Sequence, residues 1–547
     1  MLTYGFDDAG DAGRDVLGGK GAGLVEMVRL GLPVPPGFVI GTPCGRAYLA
    51  SGALPNGLAD ELAGRLAALE ETAGRRFGDD ADPLLVSVRS GAPVSMPGMM
   101  DTVLNVGLTW HGTELLAERT GDGRFAWTSL ERLLDGFART VRGVDAGELE
   151  DALLDLPTEP DPAVAARARC AALAEVIERE SGTPFPAPAG QLSESVEAVF
   201  RSWRSPRAVA YRRHKGIDEQ LGTAVVVQTM VFGNRDERSG SGVAFTRDPS
   251  TGARGAYGDF LFTAQGEDVV SGEHDTEPLP VIGDRLPEVY RQLTAVFGTL
   301  ERHTRDLCDV EFTIESGRLY VLQTRVGQRS GRAAVALAVD LVDEGLITEA
   351  EAAGRVTDEQ LAAASAPRFV DEPPVSAVLA RGLAASPGAV TGRAAFDAER
   401  AQRLRADGVD VVLLRPTTSP ADLPGVIASV GVVTGRGGRT SHAAVVARGM
   451  GRAAVCGVGE LVVARDRRSA TLAGRALSEG EVISVDGDRG IVSLGHRDAE
   501  PATSTDPALT RFLGWQRTHR PAATPTSTPT TTPTTTPTTT LTARGTA

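Results

Sequence analysis

A single hydrophobic core stops growing at roughly 250–300 residues, so a chain of 547 residues has to divide. Three or so folding units are expected, and the divisions show in the patterning. From about 112 to 200 the sequence reads as helical, with amphipathic runs at 130–141 and 163–180. Between 222 and 325 it turns to strands, at 223–231, 242–246, 258–263, 310–315 and 319–324, the last two forming a hairpin across Ser316-Gly317. Residues 332–365 read as helix, and 366–375, with prolines and acidic side chains, as a hinge. A compact β-rich unit follows at about 380–494, with strand-like runs at 411–414, 431–434 and 482–485. Past about 500 order is expected to fail, because 521–540 is almost entirely Thr and Pro and cannot bury a core. The class is α/β and multidomain.

Acidic residues outnumber basic ones, 71 to 56, for a net charge of -15. That balance argues against nucleic-acid binding and against a polybasic membrane anchor. The start, Met-Leu-Thr-Tyr-Gly-Phe-Asp-Asp, has neither the basic residues nor the apolar run of a signal peptide, and no later stretch is apolar enough to span a bilayer. A soluble, cytoplasmic protein is expected. Cys44, Cys170, Cys308 and Cys456 are far apart and form no CxxC pair, which leaves structural thiols as the default.

The chemistry centres on the stretch 434–451, Thr-Gly-Arg-Gly-Gly-Arg-Thr-Ser-His-Ala-Ala-Val-Val-Ala-Arg-Gly-Met-Gly. Gly437 and Gly438 make a flexible turn, Thr440 is a good N-cap, an Ala/Val segment follows with Arg448 at its end, and Gly449 stands as the stop. His442 therefore falls in the first turn of a short helix. There the free amides and the positive end of the helix dipole favour a bound anion and disfavour imidazolium. A neutral imidazole of this kind is either a phosphohistidine carrier or a histidine that caps and packs a helix start.

Three further places offer phosphate chemistry. Leu-Gly-Gly-Lys-Gly-Ala-Gly at 17–23 lets backbone approach phosphates closely, with Lys20 as a point charge. It is not a Walker A loop, and the alternative is a helix start opened by a glycine turn. An apolar strand ending in Arg89-Ser90-Gly91 presents a guanidinium fork at a sheet's end. After it, Met-Pro-Gly-Met-Met at 96–100 suggests a shaped, mobile cover over a site. On the 310–324 hairpin the two-residue period puts Asp309 and Glu311 on one face, and Gln323 and Arg325 similarly on the partner strand. These four hold either Mg²⁺ and nucleotide phosphates or no more than a cross-strand salt bridge.

Taken in order, Gly18-Gly19-Lys20-Gly21, Ser87-Val88-Arg89-Ser90-Gly91, Met96-Pro97-Gly98-Met99-Met100-Asp101-Thr102, Gln228-Thr229-Met230-Val231-Phe232-Gly233-Asn234, Gln265-Gly266-Glu267-Asp268, Leu322-Gln323-Thr324-Arg325 and Gly438-Arg439-Thr440-Ser441-His442-Ala443-Ala444 resemble the pyruvate, phosphate dikinase family from about residue 4 to 494. The resemblance implies an ATP-grasp nucleotide-binding domain at 1–330 with a helical insert at about 112–200. A linker and hinge would follow at 331–379, then a compact swivelling phosphohistidine domain at 380–495 and a Thr/Pro tail at 496–547. It implies MgATP and inorganic phosphate as substrates, with His442 taking the β-phosphoryl group, phosphate taking the γ-phosphoryl, and AMP and pyrophosphate leaving. Lys20, Arg89, Glu311, Gln323 and Arg325 would bind nucleotide and phosphates, and Asp309, Glu311 and Gln323 would serve Mg²⁺. Thr440 matches the position that the family's regulatory kinase/phosphatase modifies, where a phosphate dianion would repel the phosphoryl group about to arrive.

Two departures accompany the resemblance. Arg439 stands where the family usually has Met, placing a positive charge near the carrier. The family also continues into a (β/α) barrel that binds pyruvate or phosphoenolpyruvate, so the phosphoryl group is expected to pass to pyruvate on a barrel supplied by another chain. The alternatives are a phosphotransferase with a different acceptor, and a non-catalytic truncated paralogue that binds nucleotide or a regulatory protein.

Overall fold

A computed structural model of the chain describes residues 1–94, 96, 100–154, 156–270, 274–366, 368–369, 371–438, 440–459, 461–500 and 506–519, with the His214 side chain excepted. Pro97, Gly98 and Met99 of the expected cover, Arg439 and the Thr/Pro run lie outside the described residues.

Three large sheets organise these residues. The first is antiparallel, in the order β1-β2-β5-β3-β4, from β1 (Thr3–Gly5), β2 (Gly37–Ile40), β3 (Val86–Gly91), β4 (Thr102–Val106) and β5 (Ala224–Thr229). The second is also antiparallel, in the order β10-β9-β6-β7-β8, from β6 (Gly240–Arg247), β7 (Arg254–Phe262), β8 (Glu277–Pro278), β9 (Cys308–Glu315) and β10 (Arg318–Val326). The expected hairpin is β9–β10, and its turn residues Ser316 and Gly317 both sit at positive φ, as a tight type I′ turn requires.

The two sheets share a core. Leu17, Leu24 and Met27 of the helix Arg14–Arg29 are buried among Val39 and Val226 of the first sheet and Val310 and Val321 of the second. Cutting a side chain such as Leu24 back to alanine is expected to cost about 2–5 kcal/mol. The region 112–200 is helical as expected, and it is no separate body: Phe125, Leu130, Val196 and Phe200 pack in one cluster with Val86, Val103 and Val225 of the first sheet.

The third sheet, in the order β11-β21-β20-β13-β14-β15-β16-β12, runs from β11 (Val378–Arg381), β12 (Leu383–Ser386), β13 (Ala389–Ala395), β14 (Val411–Arg415), β15 (Gly431–Thr434) and β16 (Ala453–Cys456) to β20 (Val482–Asp486) and β21 (Ile491–Leu494), with a small side sheet of β17 (Leu461–Val463), β18 (Ser469–Leu472) and β19 (Arg475–Ser478). Strands β13 to β16 are parallel. That explains why 411–414 and 431–434 read as unbroken apolar runs: both faces are covered, and every residue of β15 and β16 is buried.

The linker 331–366 forms three helices, Gly331–Asp343, Glu349–Arg355 and Asp358–Ala364. Against expectation, order does not fail at about 500. Residues Pro507–His519 form a helix whose Leu509, Phe512 and Trp515 are buried against Leu337, Leu341 and Ala352 of those linker helices. The three side chains recur every third residue, an apolar stripe that the neighbouring Thr/Pro run outweighed. All four cysteines are buried and free.

Candidate phosphoryl-transfer site

Gly18 interrupts its helix at φ 69, and a Cβ there would come within 1.7 Å of the Gly91 carbonyl. Only glycine allows that approach. It brings the start of the following helical segment, and Lys20 with it, onto the end of β3, where the Gly19 amide donates to the Ala92 carbonyl at 2.8 Å. The strand pairing does the rest: Gln323 lies opposite Glu311, and Arg325 opposite Asp309.

The resulting cleft joins both sheets. Arg89 of β3 reaches Glu311 Oε2 at 3.5 Å and Gln228 Oε1 at 3.4 Å. Gln323 Nε2 donates to Glu311 Oε1 at 3.1 Å, and Arg325 Nε to Asp309 Oδ2 at 2.7 Å. Burial, helped by the neighbouring Arg89 and Arg325, pushes the Lys20 ammonium down to about 7, with Glu311 opposing the shift. Burial raises Asp309, with Arg325 opposing the shift, and its Oδ1 is buried without a hydrogen-bond partner.

An orphaned carboxylate oxygen beside Glu311 and the Gln323 amide is a hard-oxygen set that suits Mg²⁺. Among the described residues no three His, Cys, Asp or Glu side chains gather to cage a metal by themselves, which fits an ion that takes its remaining ligands from nucleotide phosphates.

His442 opens its helix, His442–Gly449, and the N-cap position falls to Ser441 rather than Thr440. Thr440 is held elsewhere: its N–H and its hydroxyl both donate to Asp259 Oδ2 of β7, at 2.9 and 2.7 Å. The helix ends at Gly449, as expected, with Met450 at the C-cap position and Gly451 after it in the left-handed conformation. Burial lowers the His442 imidazole below its ordinary 6.5, with Asp422 opposing the shift. Its Nδ1 is buried without a hydrogen-bond partner, which leaves Nε2 as the open nitrogen.

No hydrogen bond or ion pair ties His442 itself to the cleft among the described residues. Both ends of its helix are tied instead. Gly438 lies so close that a Cβ would be 2.6 Å from Asp259 Oδ2. At the other end the buried Arg448 donates to the Ala385 carbonyl at 2.9 Å, stacks over Phe245 of β6 at 5.4 Å, and its charge acts on Asp309. Between the two places lies the short helix Gly266–Val270: the charge of its Glu267 acts on Arg89, and its Val270 lines the pocket around His442.

Sequence reasoning missed Asp259 and gave Arg448 no role beyond ending a helix. Their partners are 181 and 139 positions away for Asp259 and Arg448, toward Thr440 and Asp309 respectively, and no local pattern signals them. Gln228 stood inside a quoted motif without an assigned contact.

Two facing antiparallel sheets with a cation-lined cleft, and a mixed sheet carrying a histidine at the start of a helix, make an ATP-grasp nucleotide-binding unit with a histidine domain attached. Residues 46–290 match the family described as "Pyruvate phosphate dikinase, AMP/ATP-binding domain", and 408–490 match "PEP-utilising enzyme, mobile domain". Pyruvate, phosphate dikinase of Clostridium symbiosum is 43% identical over 524 residues, which cover 94% of this chain and 60% of that protein. The chloroplastic dikinase 1 of Oryza sativa is 44% identical over 522 residues, 93% of this chain and 55% of that protein, and the Rhizobium meliloti dikinase 43% over 518 residues, 90% and 58%. The chain belongs to the pyruvate, phosphate dikinase family. It spans between 55% and 60% of the length of these relatives.

Proposed function

We propose that the chain moves the β-phosphoryl group of MgATP to His442 while inorganic phosphate takes the γ-phosphoryl group, so that AMP and pyrophosphate leave. The observation that carries this reading is the attachment of the His442 helix, through Asp259 and Arg448, to the sheet that bears Asp309 and Glu311. A carrier imidazole and a phosphate cleft held by one sheet are what transfer between them requires.

In this reading Lys20, Arg89 and Arg325 bind the polyphosphate, and they exchange their present carboxylate neighbours for phosphate oxygens. Magnesium would be held by Asp309, Glu311 and the Gln323 amide oxygen; when bound it offsets charge on the phosphates. With Nδ1 buried, Nε2 is the nitrogen that takes phosphorus, which requires the proton of neutral His442 on Nδ1. The bond from Pβ to the oxygen it shares with Pα breaks as the N–P bond forms, and AMP leaves. An oxygen of inorganic phosphate takes Pγ as the bond from Pγ to the oxygen it shares with Pβ breaks, and pyrophosphate leaves, with the phosphoryl group on His442. The phosphoryl group then passes to pyruvate.

Thr440 fits a regulatory role at the same contact. It is buried, and a phosphate on its hydroxyl would remove the O–H bond to Asp259 and set a dianion against that carboxylate. Docking of the histidine loop would fail.

The test is a single turnover with ATP, Mg²⁺ and phosphate, following products on the intact chain and on His442→Ala. AMP and pyrophosphate in amounts equal to protein, from the unaltered chain alone, support the reading. ADP as the product, or equal turnover by His442→Ala, refutes it.

A further inference from the structure

His442 opens into a small pocket at the carboxyl ends of the adjacent parallel strands β14 and β15, the end of an α/β sheet where ligands bind. Thr417 and Thr418 follow β14, and Arg436 and Ser441 follow β15. Ser441 is 8% exposed, and among the described residues its hydroxyl has no oxygen or nitrogen partner, only the Cys456 thiol. Arg436 is exposed, and among the described residues its guanidinium has neither hydrogen bond nor ion pair. The helix that follows has no side-chain cap bond, which leaves its first amides without a capping partner.

We propose that Arg436, with the Ser441 and Thr418 hydroxyls and the first amides of the His442 helix, grips the phosphoryl group once it is on His442, and that Arg436 sets how much phosphohistidine accumulates. The chemistry recognised is a phosphate dianion: a guanidinium donates two parallel bonds to its oxygens, and the hydroxyls and amides supply the rest. Carrier and grip are thereby on one domain, so the phosphoryl group stays held when that domain leaves the cleft. The inference rests on His442 being the carrier. Free inorganic phosphate has the same chemistry and is the competing occupant.

The experiment compares the full chain with Arg436→Gln and Arg436→Lys, using His442→Ala as background. One arm forms phosphohistidine from ATP, Mg²⁺ and phosphate at a fixed ratio of ATP to AMP and pyrophosphate. The other forms it chemically with phosphoramidate and follows the phosphoryl titration by ³¹P NMR. Arg436→Gln is expected to accumulate roughly tenfold less phosphohistidine in the first arm, and to raise the phosphoryl titration midpoint by about one pH unit in the second. ATP affinity and the phosphate concentration for half-maximal labelling stay unchanged, and Arg436→Lys recovers part of both effects. An unchanged titration midpoint overturns the proposal. So does a rise only in the phosphate needed, which would assign Arg436 to the free substrate. If ATP labels nothing but phosphoramidate labels His442, the ATP reading fails while the titration still decides the role of Arg436.

Discussion

The cleft and the histidine pocket, both proposed to hold phosphate charge, are built in opposite ways. In the cleft Arg89 is engaged by Glu311, Arg325 by Asp309, and Gln323 by Glu311. In the pocket, among the described residues, the Arg436 guanidinium and His442 Nδ1 have no hydrogen-bond partner, and Ser441 Oγ has only the Cys456 thiol. A nucleotide entering the cleft has to exchange existing ion pairs, which sets geometry and excludes weaker anions. A phosphoryl group arriving on His442 is bonded to its site and needs only donors waiting for it. The contrast says that selection belongs to the cleft and retention to the pocket.

The largest effect expected from breaking this pairing is at the carrier. His442→Ala should lose all acid-labile phosphate on the protein while ATP affinity, measured by calorimetry, changes by less than about twofold. A loss of ATP binding would mean that the two regions are not separable.

Next come the cleft carboxylates. Asp309→Asn and Glu311→Gln are each expected to slow the single turnover by roughly 100-fold and to raise the Mg²⁺ concentration needed, since both lose charge at the metal set. Titrating Mg²⁺ against rate checks this, and an unchanged Mg²⁺ requirement would leave these residues as a plain salt-bridge pair.

A smaller effect is expected where the two regions meet. Asp259→Ala removes the acceptor of two bonds from Thr440, and Gly438→Ala puts a methyl group 2.6 Å from the same carboxylate oxygen. Each should lower the labelling rate by roughly tenfold, with ATP affinity unchanged, because about 1.4 kcal/mol of docking is lost. Equal losses in both variants would place the defect at docking.

The smallest is a pH effect. Lys20 sits near 7 in the free protein, and bound phosphates raise that value. A group whose bound value is raised favours binding fully below the free value. ATP affinity should therefore hold below pH 7 and weaken above it, by up to about tenfold per pH unit until the bound value is reached. Calorimetry in buffers of different ionisation enthalpy should register proton uptake on binding above pH 7. His442, depressed below 6.5, stays neutral across this range and adds no limb of its own.

What could be read from the sequence was what short-range geometry decides. A two-residue period places Asp309 with Glu311 and Gln323 with Arg325, and the hairpin pairs them as expected. A glycine turn before an Ala/Val run gives the helix with His442 at its start. What could not be read depends on distant chain. Thr440 reads as the cap, but Asp259 takes its N–H and hydroxyl, and the N-cap position falls to Ser441, whose side chain makes no capping bond. The Arg89 to Glu311 contact crosses two sheets and 222 positions. The helix Pro507–His519 was hidden by its neighbours' composition, although Leu509, Phe512 and Trp515 carried its stripe.

The most direct test of the central claim is where each phosphorus of ATP ends. Parallel single turnovers with ATP labelled at the β or the γ position, in the presence of Mg²⁺ and phosphate, should leave β label on His442, acid-labile and equal to the AMP formed, with the γ label in pyrophosphate. γ label on the protein, or β label released wholly as ADP, would contradict the account.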